Sequence, residues 1–293
     1  MTFPPVFDYR EFTTRNLGFV SEAEQAKLRA AQVFVAGVGG MGGACVQALA
    51  RAGVGRLIIA DIDAFEVSNL NRQVFADLTT VGRGKAEATA EALRRINPEI
   101  ELEVLGGDWT ERLPDIAARC KIIVNGCDDI PATLHLYRTA RAAGATVIDA
   151  YAAPLPSVTR VSPKDPRPEE RLGYPTRHKG WREVTDEEAR AAFMREIEYV
   201  LTHSSSHRHV DVQMAAEMAA GTRKRMSFAP MVITTGCLMA YEALSLAMER
   251  KSRTDCRGWF FNPYELKVER PLPAPLAAAR AAMVRRYMAK LLA

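Results

Sequence analysis

The first half of the chain alternates short apolar runs with longer stretches in which apolar and charged residues recur at helical spacing. The apolar runs are rich in Val, Ile, Leu and Phe, which is typical of strands buried on both faces of a sheet. They predict five strands, at Gln32–Ala36, Arg56–Asp61, Ile100–Leu105, Lys121–Asn125 and Thr146–Asp149. The stretches between them predict helices at Gly42–Ala52, Gly84–Ile96 and Ala132–Ala143. This alternation predicts an α/β fold with a doubly wound, mainly parallel, Rossmann-like sheet and helices on both faces.

The alternation stops after Pro156. Residues 163–226 are partly irregular and partly charged, with one predicted helix at Glu187–Leu201, and they indicate an insertion into the core. A helix at Met231–Met248 and a hairpin of Gly258–Phe261 with Glu265–Glu269 then predict an antiparallel C-terminal extension of the sheet. We therefore expect five segments: a lead-in with a short helix at Glu22–Arg29 (1–30), the α/β core (31–162), a crossover insertion (163–226), the return of the core (227–270) and a basic C-terminal helix at Ala277–Leu292 (271–293).

Composition narrows the class of protein only modestly. The 293 residues are 48% hydrophobic and carry a net charge of +4, which is too small to indicate a nucleic-acid-binding protein. No apolar run approaches the roughly 20 residues of a membrane span, and the start MTFPPVFDYR lacks the pattern of a signal peptide, so we expect a cytoplasmic protein. The five cysteines form no CxxC pair, which argues against a disulfide framework and a four-cysteine zinc site.

A glycine-rich loop follows the first predicted strand. Its sequence is Gly37-Val38-Gly39-Gly40-Met41-Gly42, and a predicted helix begins at its end. Glycines let the backbone turn tightly and approach a phosphate, which the N-terminus of the helix also attracts. Asp61 ends the next strand, where a carboxylate commonly accepts hydrogen bonds from a ribose. These features predict a nucleotide site and leave NAD, FAD and ATP as alternatives.

The charges that follow favour ATP. Arg72 and Lys85 come after the second strand, and Asp128 comes after the strand that ends at Asn125. Hydride transfer to a nicotinamide needs no such cations, whereas departure of pyrophosphate from ATP needs positive charge to neutralise the growing negative charge. A carboxylate at a strand end also suits Mg²⁺, which prefers oxygen ligands.

These motifs together resemble the ThiF/MoeB superfamily of adenylyltransferases that activate ubiquitin-like proteins. The shared elements are GxGGxG, DxDxxxxSNLxRQ, GxxK, RINP and a CDD segment, and they extend over about half to two thirds of the chain. The resemblance implies that the enzyme uses ATP and Mg²⁺ to convert a carboxylate into an acyl-adenylate with release of pyrophosphate. It also implies roles for individual residues. Asp61, with its neighbour Asp63, would bind the ribose, and Asn69, Arg72 and Gln73 would form a nucleotide-binding triad. Lys85 would bind the phosphates, Asp128 would bind magnesium, and Arg15 would be donated across a homodimer interface to the partner's site.

Besides lacking the two CxxC pairs that many members carry for structural zinc, the chain departs from the family pattern in two ways. Thr133 stands five residues after Asp128, where many members carry an arginine, and residues 151–226 contain no cysteine for a covalent intermediate. We therefore expect an external nucleophile to attack the adenylate directly. The resemblance implies a ubiquitin-like or sulfur-carrier protein ending in Gly-Gly as the substrate. A peptide or small-molecule carboxylate, a carboxyl group on a tRNA base, an NAD-dependent oxidoreductase and an inactive nucleotide-binding scaffold remain alternatives.

Several other side chains predict no chemistry of their own. We expect His203, His207 and His209 to lie in a solvated loop rather than to bind a metal. We expect Cys127 and Cys237 to be buried and Cys256 to be the exposed thiol. A run of three basic residues, Arg223-Lys224-Arg225, is compatible with a solvated turn or with a surface that attracts an acidic partner.

Overall fold

The computed structural model describes residues 6–219 and 221–291. Residues 1–5, at the start of the predicted lead-in, lie outside the described residues, as do residue 220 and residues 292–293. The predicted last residue of the C-terminal helix, Leu292, is therefore also outside them.

The described chain contains an eight-stranded sheet and the helices around it. The helices before and within the parallel part are α1 (Tyr9–Thr13), α2 (Glu22–Ala30), α3 (Gly40–Arg51), α4 (Lys85–Ile96), α5 (Trp109–Arg119) and α6 (Ile130–Ala142). The strands are β1 (Gln32–Ala36), β2 (Arg56–Ala60), β3 (Glu101–Leu105), β4 (Ile122–Asn125), β5 (Thr146–Asp149), β6 (Ser157–Val161), β7 (Trp259–Asn262) and β8 (Lys267–Glu269). The remaining helices are α7 (Pro168–Leu172), α8 (Asp186–His203), α9 (Val212–Ala219), α10 (Ala229–Ala247) and α11 (Ala274–Leu291).

The strand order is β3-β2-β1-β4-β5-β6-β7-β8. Strands β1 to β5 are parallel, and β6, β7 and β8 extend the sheet in antiparallel fashion. The predicted fold class is therefore confirmed. The register pairs Ala36 with both Ala60 and Asn125, so that the carboxyl ends of β1, β2 and β4 meet at one edge of the sheet.

Two elements of the α/β core were not predicted. Helix α5 contains Pro114, which usually interrupts a helix because it lacks an N–H and clashes with the preceding turn. Strand β6 has the polar pair Thr159-Arg160 between two valines, which is a weaker strand signal than a continuous apolar run. Its antiparallel pairing with β5 begins the predicted extension.

The sheet has a separate hydrophobic core on each face, because successive strand residues point to opposite sides. Val33 and Val35 of β1 pack with α3, α4 and α10, whereas Phe34 packs with α5 and α6. By length and composition alone α10 would be long enough to cross a membrane, which corrects our expectation that no such run exists. Its close packing on α3 along the core shows it to be a central helix of the fold.

The crossover insertion is more helical than predicted, since it contains α7, α8 and α9. A buried carboxylate attaches it to the core: Glu169 of α7 is 1% exposed and pairs with Arg138 of α6 and with Arg167. Arg138 Nε donates to Glu169 Oε1 at 3.1 Å. Arg141, one turn further along α6, pairs with Glu170 at 2.9 Å. These ion pairs attach the beginning of the insertion to α6.

Candidate active site

A cleft of about 720 Å³ lies at the carboxyl ends of the parallel strands. Most of the predicted site residues line it: Gly37, Gly39, Gly40, Asp61, Asp63, Arg72, Gln73, Lys85 and Asp128. Open α/β sheets bind ligands at this edge, where the direction of the connections reverses. The structure therefore brings together the residues that the sequence predicted from separate motifs.

The glycine loop is packed directly against the end of β4. Gly37 adopts φ +83°, and a Cβ there would lie 2.6 Å from the carbonyl of Gly126. A Cβ on Gly126 would lie 2.4 Å from the Gly37 oxygen, and one on Gly42 would lie 1.8 Å from the same atom. Gly42 therefore lets α3 approach the loop and does not itself line the cleft in the described chain. Gly126 was not predicted as a site residue, although its place between a strand and Cys127-Asp128 was a usable signal.

Asp61 holds the glycine loop from the neighbouring strand end. Its Oδ2 accepts a hydrogen bond from the Val38 N–H at 2.9 Å, and its Oδ1 accepts one from the Asp63 N–H at 3.0 Å. Burial raises the pKa of Asp61, and these hydrogen bonds together with the nearby Lys85 oppose the rise. The carboxylate thus shapes the loop as well as facing the cleft.

Two cations face the cleft from different directions. Lys85 is the first residue of α4, is 8% exposed, and donates from Nζ to Asp63 Oδ2 at 2.7 Å. Arg72 donates from Nη1 to the Ser68 carbonyl and to Asn71 Oδ1, both at 2.9 Å. In the described part of the chain its Nε and Nη2 have no hydrogen-bond acceptor, which leaves them for a ligand.

The rest of the predicted triad divides into two roles. Asn69 is buried, accepts from the Glu66 N–H at 3.0 Å and does not line the cleft in the described chain, so it shapes the loop from behind. Gln73 lines the cleft, and its buried Oε1 has no hydrogen-bond partner among the described residues. A buried carbonyl oxygen of this kind is costly unless a ligand or water donates to it.

Asp128 and its neighbour Asp129 are used differently. Asp129 Oδ2 accepts from the Ala132 N–H at 2.7 Å and caps α6. Asp128 is 80% exposed at its side chain and faces Arg225, whose Nη1 lies 3.7 Å from its Oδ2. Arg225 comes from the end of the crossover insertion and lies over the ring of Phe193, 5.2 Å from its centroid. Of the three consecutive basic residues, Arg225 is the one that lines the cleft in the described chain, and the sequence did not single it out.

Arg15 is the one predicted catalytic residue that the structure does not bring to the cleft of its own chain. It lies in a short 3₁₀ turn, Thr14–Asn16, and is exposed. The neighbouring Asn16 fixes this turn, because its Nδ2 donates to Gln25 Oε1 at 3.0 Å and to the Ala52 carbonyl at 3.2 Å.

The side of the cleft built by the crossover insertion and the C-terminal hairpin is rich in aromatic residues. Five of them line it: Tyr151, Trp181, Phe193, Phe228 and Tyr264. The expected solvated histidine loop is correct for His207, which is exposed, and wrong for the rest, since Ser204 and Ser206 are buried and His209 lines the cleft. The His209 ring stacks on Tyr264 with centroids 4.5 Å apart, and its Nε2 accepts from Asn262 Nδ2 at 3.2 Å. Among the described residues, no group of three or more His, Cys, Asp or Glu side chains is arranged to hold a metal ion.

Two half-buried carboxyl groups lie outside the lining of the cleft in the described chain. Asp149 Oδ2, at the end of β5, accepts from Tyr137 Oη at 2.7 Å and from Asn125 Nδ2 at 3.0 Å, and burial raises its pKa to about 6. Glu196 of α8 accepts from the hydroxyl of Tyr174, and burial raises its pKa to about 7. Both groups belong to the contact between the core and the crossover insertion.

The cysteines offer no activated thiol in the described structure. Cys127 lines the cleft, and burial together with the surrounding aspartates raises its pKa. Cys256 is 9% exposed and Cys237 is half-buried on α10, so the sequence had assigned their exposure the wrong way round. Burial raises the pKa of both thiols.

Part of the chain is similar in sequence to characterised enzymes. It is 48% identical over 85 residues to the molybdopterin-synthase adenylyltransferase of Salmonella typhimurium, which covers 29% of this chain and 34% of that protein. It is 38% identical over 110 residues to the sulfur carrier protein ThiS adenylyltransferase of Escherichia coli, covering 37% and 43%. The matched segments thus span about a third to two fifths of the length of these relatives.

Solved structures extend the likeness over most of the fold. The microcin C7 biosynthetic enzyme MccB in complex with N-formylated MccA superposes with a TM-score of 0.63 at 20% identity, covering 91% of this chain and 74% of that one. The E. coli tRNA N6-threonylcarbamoyladenosine dehydratase TcdA, in complex with AMP, gives 0.59 at 18% identity, covering 82% and 95%. A sequence model of the ThiF family matches residues 13–279, and the chain therefore belongs to the ThiF family.

Proposed function

We propose that this protein is an ATP-dependent adenylyltransferase that converts a carboxylate into an acyl-adenylate and releases pyrophosphate. The observation that carries the proposal is the placement of Arg72 and the buried Lys85 on the same cleft as a glycine loop clamped by Asp61. A cleft built only to bind a nicotinamide dinucleotide has no need of two cations in addition to the loop and the N-terminus of its helix.

The chemistry follows from these charges. The carboxylate of the substrate attacks the α-phosphorus of ATP, a new P–O bond forms, and the bond to the departing pyrophosphate breaks. Arg72 and Lys85 neutralise the negative charge that grows on the leaving group. Arg225 adds a third cation, which lines the cleft from the crossover insertion. No general base is needed, because the attacking carboxylate is already ionised at neutral pH.

The residues also fit a magnesium ion that ATP brings with it. Mg²⁺ is commonly held by one or two carboxylates and completed by phosphate oxygens and water. Asp128 provides such a carboxylate, since it is largely exposed and is not committed to capping a helix. When bound, the ion would neutralise phosphate charge.

The relatives support this activity. Two of them are named as adenylyltransferases, and the TcdA structure contains AMP. The fit of the cleft to ATP is tested by calorimetry with ATP–Mg²⁺ and with NAD⁺. We expect ATP to bind to the wild type and to bind more weakly to Lys85→Ala. Tight binding of NAD⁺ by a protein that does not bind ATP would overturn the proposal. Exchange of labelled pyrophosphate into ATP in the presence of candidate carboxylates separates an enzyme from an inactive scaffold.

The proposal extends to the class of carboxylate substrate. Relatives act on the sulfur carrier protein ThiS, and MccB is seen with the peptide MccA, so a carrier-protein tail and a peptide carboxylate are both candidates. We propose that an external nucleophile attacks the adenylate directly, because the thiols of Cys127, Cys237 and Cys256 all have raised pKa values. Intact-mass analysis should show an adenylylated substrate and an unmodified enzyme, and a thiol-sensitive enzyme adduct would contradict direct attack.

We propose a two-fold homodimer in the cytoplasm. Arg15 is exposed and lies away from its own cleft, and α10 presents an outer face with Ile233, Cys237 and Tyr241 one turn apart, of which Tyr241 is 70% exposed. If Arg15 completes the partner's site, Arg15→Ala and Lys85→Ala should each be inactive alone. Mixed after subunit exchange they should recover about a quarter of the wild-type sites, because one site of each mixed dimer is intact. A fully active monomer by light scattering would contradict the dimer.

A further inference from the structure

An apolar side pocket of about 100 Å³ opens beside the cleft. The two cavities share five lining residues, Ala152, Pro154, Val210, Met218 and Met226, so the side pocket is continuous with the candidate active site. The crossover insertion supplies most of its wall, and the C-terminal helix α11 closes it with Tyr287 and Met288. The side pocket is therefore built by parts of the crossover insertion and of α11 that have no role in the proposed adenylylation chemistry.

The lining determines what the side pocket can hold. Among the described residues around it, no Asp, Glu, Lys or Arg is present, and the imidazole of His207 and the phenol of Tyr287 are the groups that can ionise. Methionines contribute on several sides, including Met194 from α8 and Met288 from α11. Methionine is flexible and polarisable, so it adapts to apolar groups of different shape. A charged or strongly polar group would lose its hydration here without gaining a partner.

We propose that the side pocket binds an aliphatic side chain of the carboxylate substrate, close to the carboxyl group that is activated. This inference rests on the proposed function, because it places the reacting carboxylate in the adjoining cleft. A dry apolar cavity of ~150 Å³ is large enough to bind benzene. At about 100 Å³ the side pocket is smaller, so its size suits an aliphatic side chain such as that of leucine. A tail that ends in Gly-Gly has no side chain with which to fill the pocket, so the structure favours a peptide or small-molecule carboxylate with an apolar group.

The first test compares substrates that differ in one side chain. The probes are four N-acetylated tripeptides, which are Gly-Gly-Gly, Gly-Leu-Gly, Gly-Gly-Leu and Gly-Asn-Gly, and Asn serves as a polar control of nearly the same shape as Leu. Pyrophosphate exchange should be about 10- to 100-fold faster in kcat/KM for a leucine peptide than for the asparagine peptide, from the burial of one aliphatic side chain. Equal rates for all four peptides would leave the proposed function standing and overturn this inference. Exchange only with a carrier protein ending in Gly-Gly would also overturn it.

A matched pair of variants on α9 tests whether the side pocket is the place where the substrate side chain binds. Ala215 lines the side pocket, and its neighbour Met214 is 40% exposed and is not among the residues around either cavity. Ala215→Phe should fill the pocket and abolish the preference for leucine, while exchange with the triglycine peptide stays within about 2-fold of the wild type. Met214→Phe should leave the preference unchanged. Unfolding in urea confirms that both variants are folded.

A binding measurement on the wild-type protein does not depend on activity or on a folded variant. With methionine methyl groups labelled with ¹³C, the leucine peptide should shift the signals of Met194 and Met288, and the asparagine peptide should not. Met283, which is 64% exposed on α11, is the internal control. Shifts without any exchange would support the pocket and count against the proposed function for this class of substrate. The absence of both shifts and exchange would overturn the inference.

Discussion

Replacing Gly126 by alanine tests whether the glycine loop and the end of β4 form one unit. The added Cβ would lie 2.4 Å from the Gly37 oxygen and 3.1 Å from the Ala36 oxygen, both of which are backbone atoms. Ordinary contact begins at 3.4 Å, so the loop and the strand end must separate by about 1 Å. Rotation of a side chain cannot relieve the contact. Because Cys127 and Asp128 follow directly, the displacement would carry the proposed magnesium ligand away from the glycine loop, which we propose binds the phosphates.

The expected result is a large loss of activity with a smaller loss of stability. A misplacement of about 1 Å at a catalytic site costs on the order of 10²-fold in rate, and an added methyl group in a packed region costs about 1–3 kcal/mol of unfolding free energy. Pyrophosphate exchange and urea unfolding measure the two quantities. Gly106→Ala is the control, since a Cβ there would meet no atom within 4 Å. Exchange by Gly126→Ala within 3-fold of the wild type would show that the close approach does not position the site.

Three further results are expected. Arg72→Ala and Lys85→Ala should each lower the exchange rate about 10²–10³-fold, as the loss of a transition-state donor does, and a change confined to KM would refute that role. Arg225→Ala should lower the rate of pyrophosphate exchange more than Arg223→Ala does. Arg223 is the control, because it pairs with Glu217 and does not line the cleft in the described chain. Equal effects of the two substitutions would contradict the role of Arg225 as a third cation of the site. The pKa of Glu196 is raised from 4.5 to about 7, so its contribution to stability is present below pH 4.5 and is lost as the pH rises through 7. The unfolding free energy of the wild type should therefore fall between pH 4.5 and 8, and in Glu196→Gln it should fall by about 2–3 kcal/mol less, as measured by urea titrations. The same fall in both proteins would refute the raised pKa of Glu196.

The nucleotide end of the cleft was predictable because its signals are local in the sequence. The glycine loop, Asp61, Arg72 and Lys85 follow one another within about fifty residues. The glycine loop and Asp61 directly follow strands, Lys85 begins a helix, and Arg72 lies in the loop between β2 and α4. The order of the parallel strands then brings them to one edge of the sheet, as the alternation of strands and helices requires. The roles of these side chains remain predictions, although their placement on one cleft is observed.

The substrate end was not predictable for the opposite reason. Tyr151, Phe193, His209 and Tyr264 come from three different segments of the chain, and folding brings them together at the cleft. No periodicity or spacing in the sequence connects them. The buried Glu169 that attaches the insertion to α6 also gives no local signal, because a charged residue in a charged stretch resembles a solvated one.

The contact between α3 and α10 has a consequence for protein engineering. A Cβ on Gly236 would lie 2.4 Å from the Met41 oxygen, and one on Gly40 would lie 2.7 Å from Val232 Cγ1. The glycine loop therefore contacts α10, the helix with which the chain returns to the core after the crossover insertion. Chimeras that exchange this insertion between homologues should place their second junction before Ala229 and retain the recipient's own α10, because a transplanted α10 would have to reproduce both close approaches.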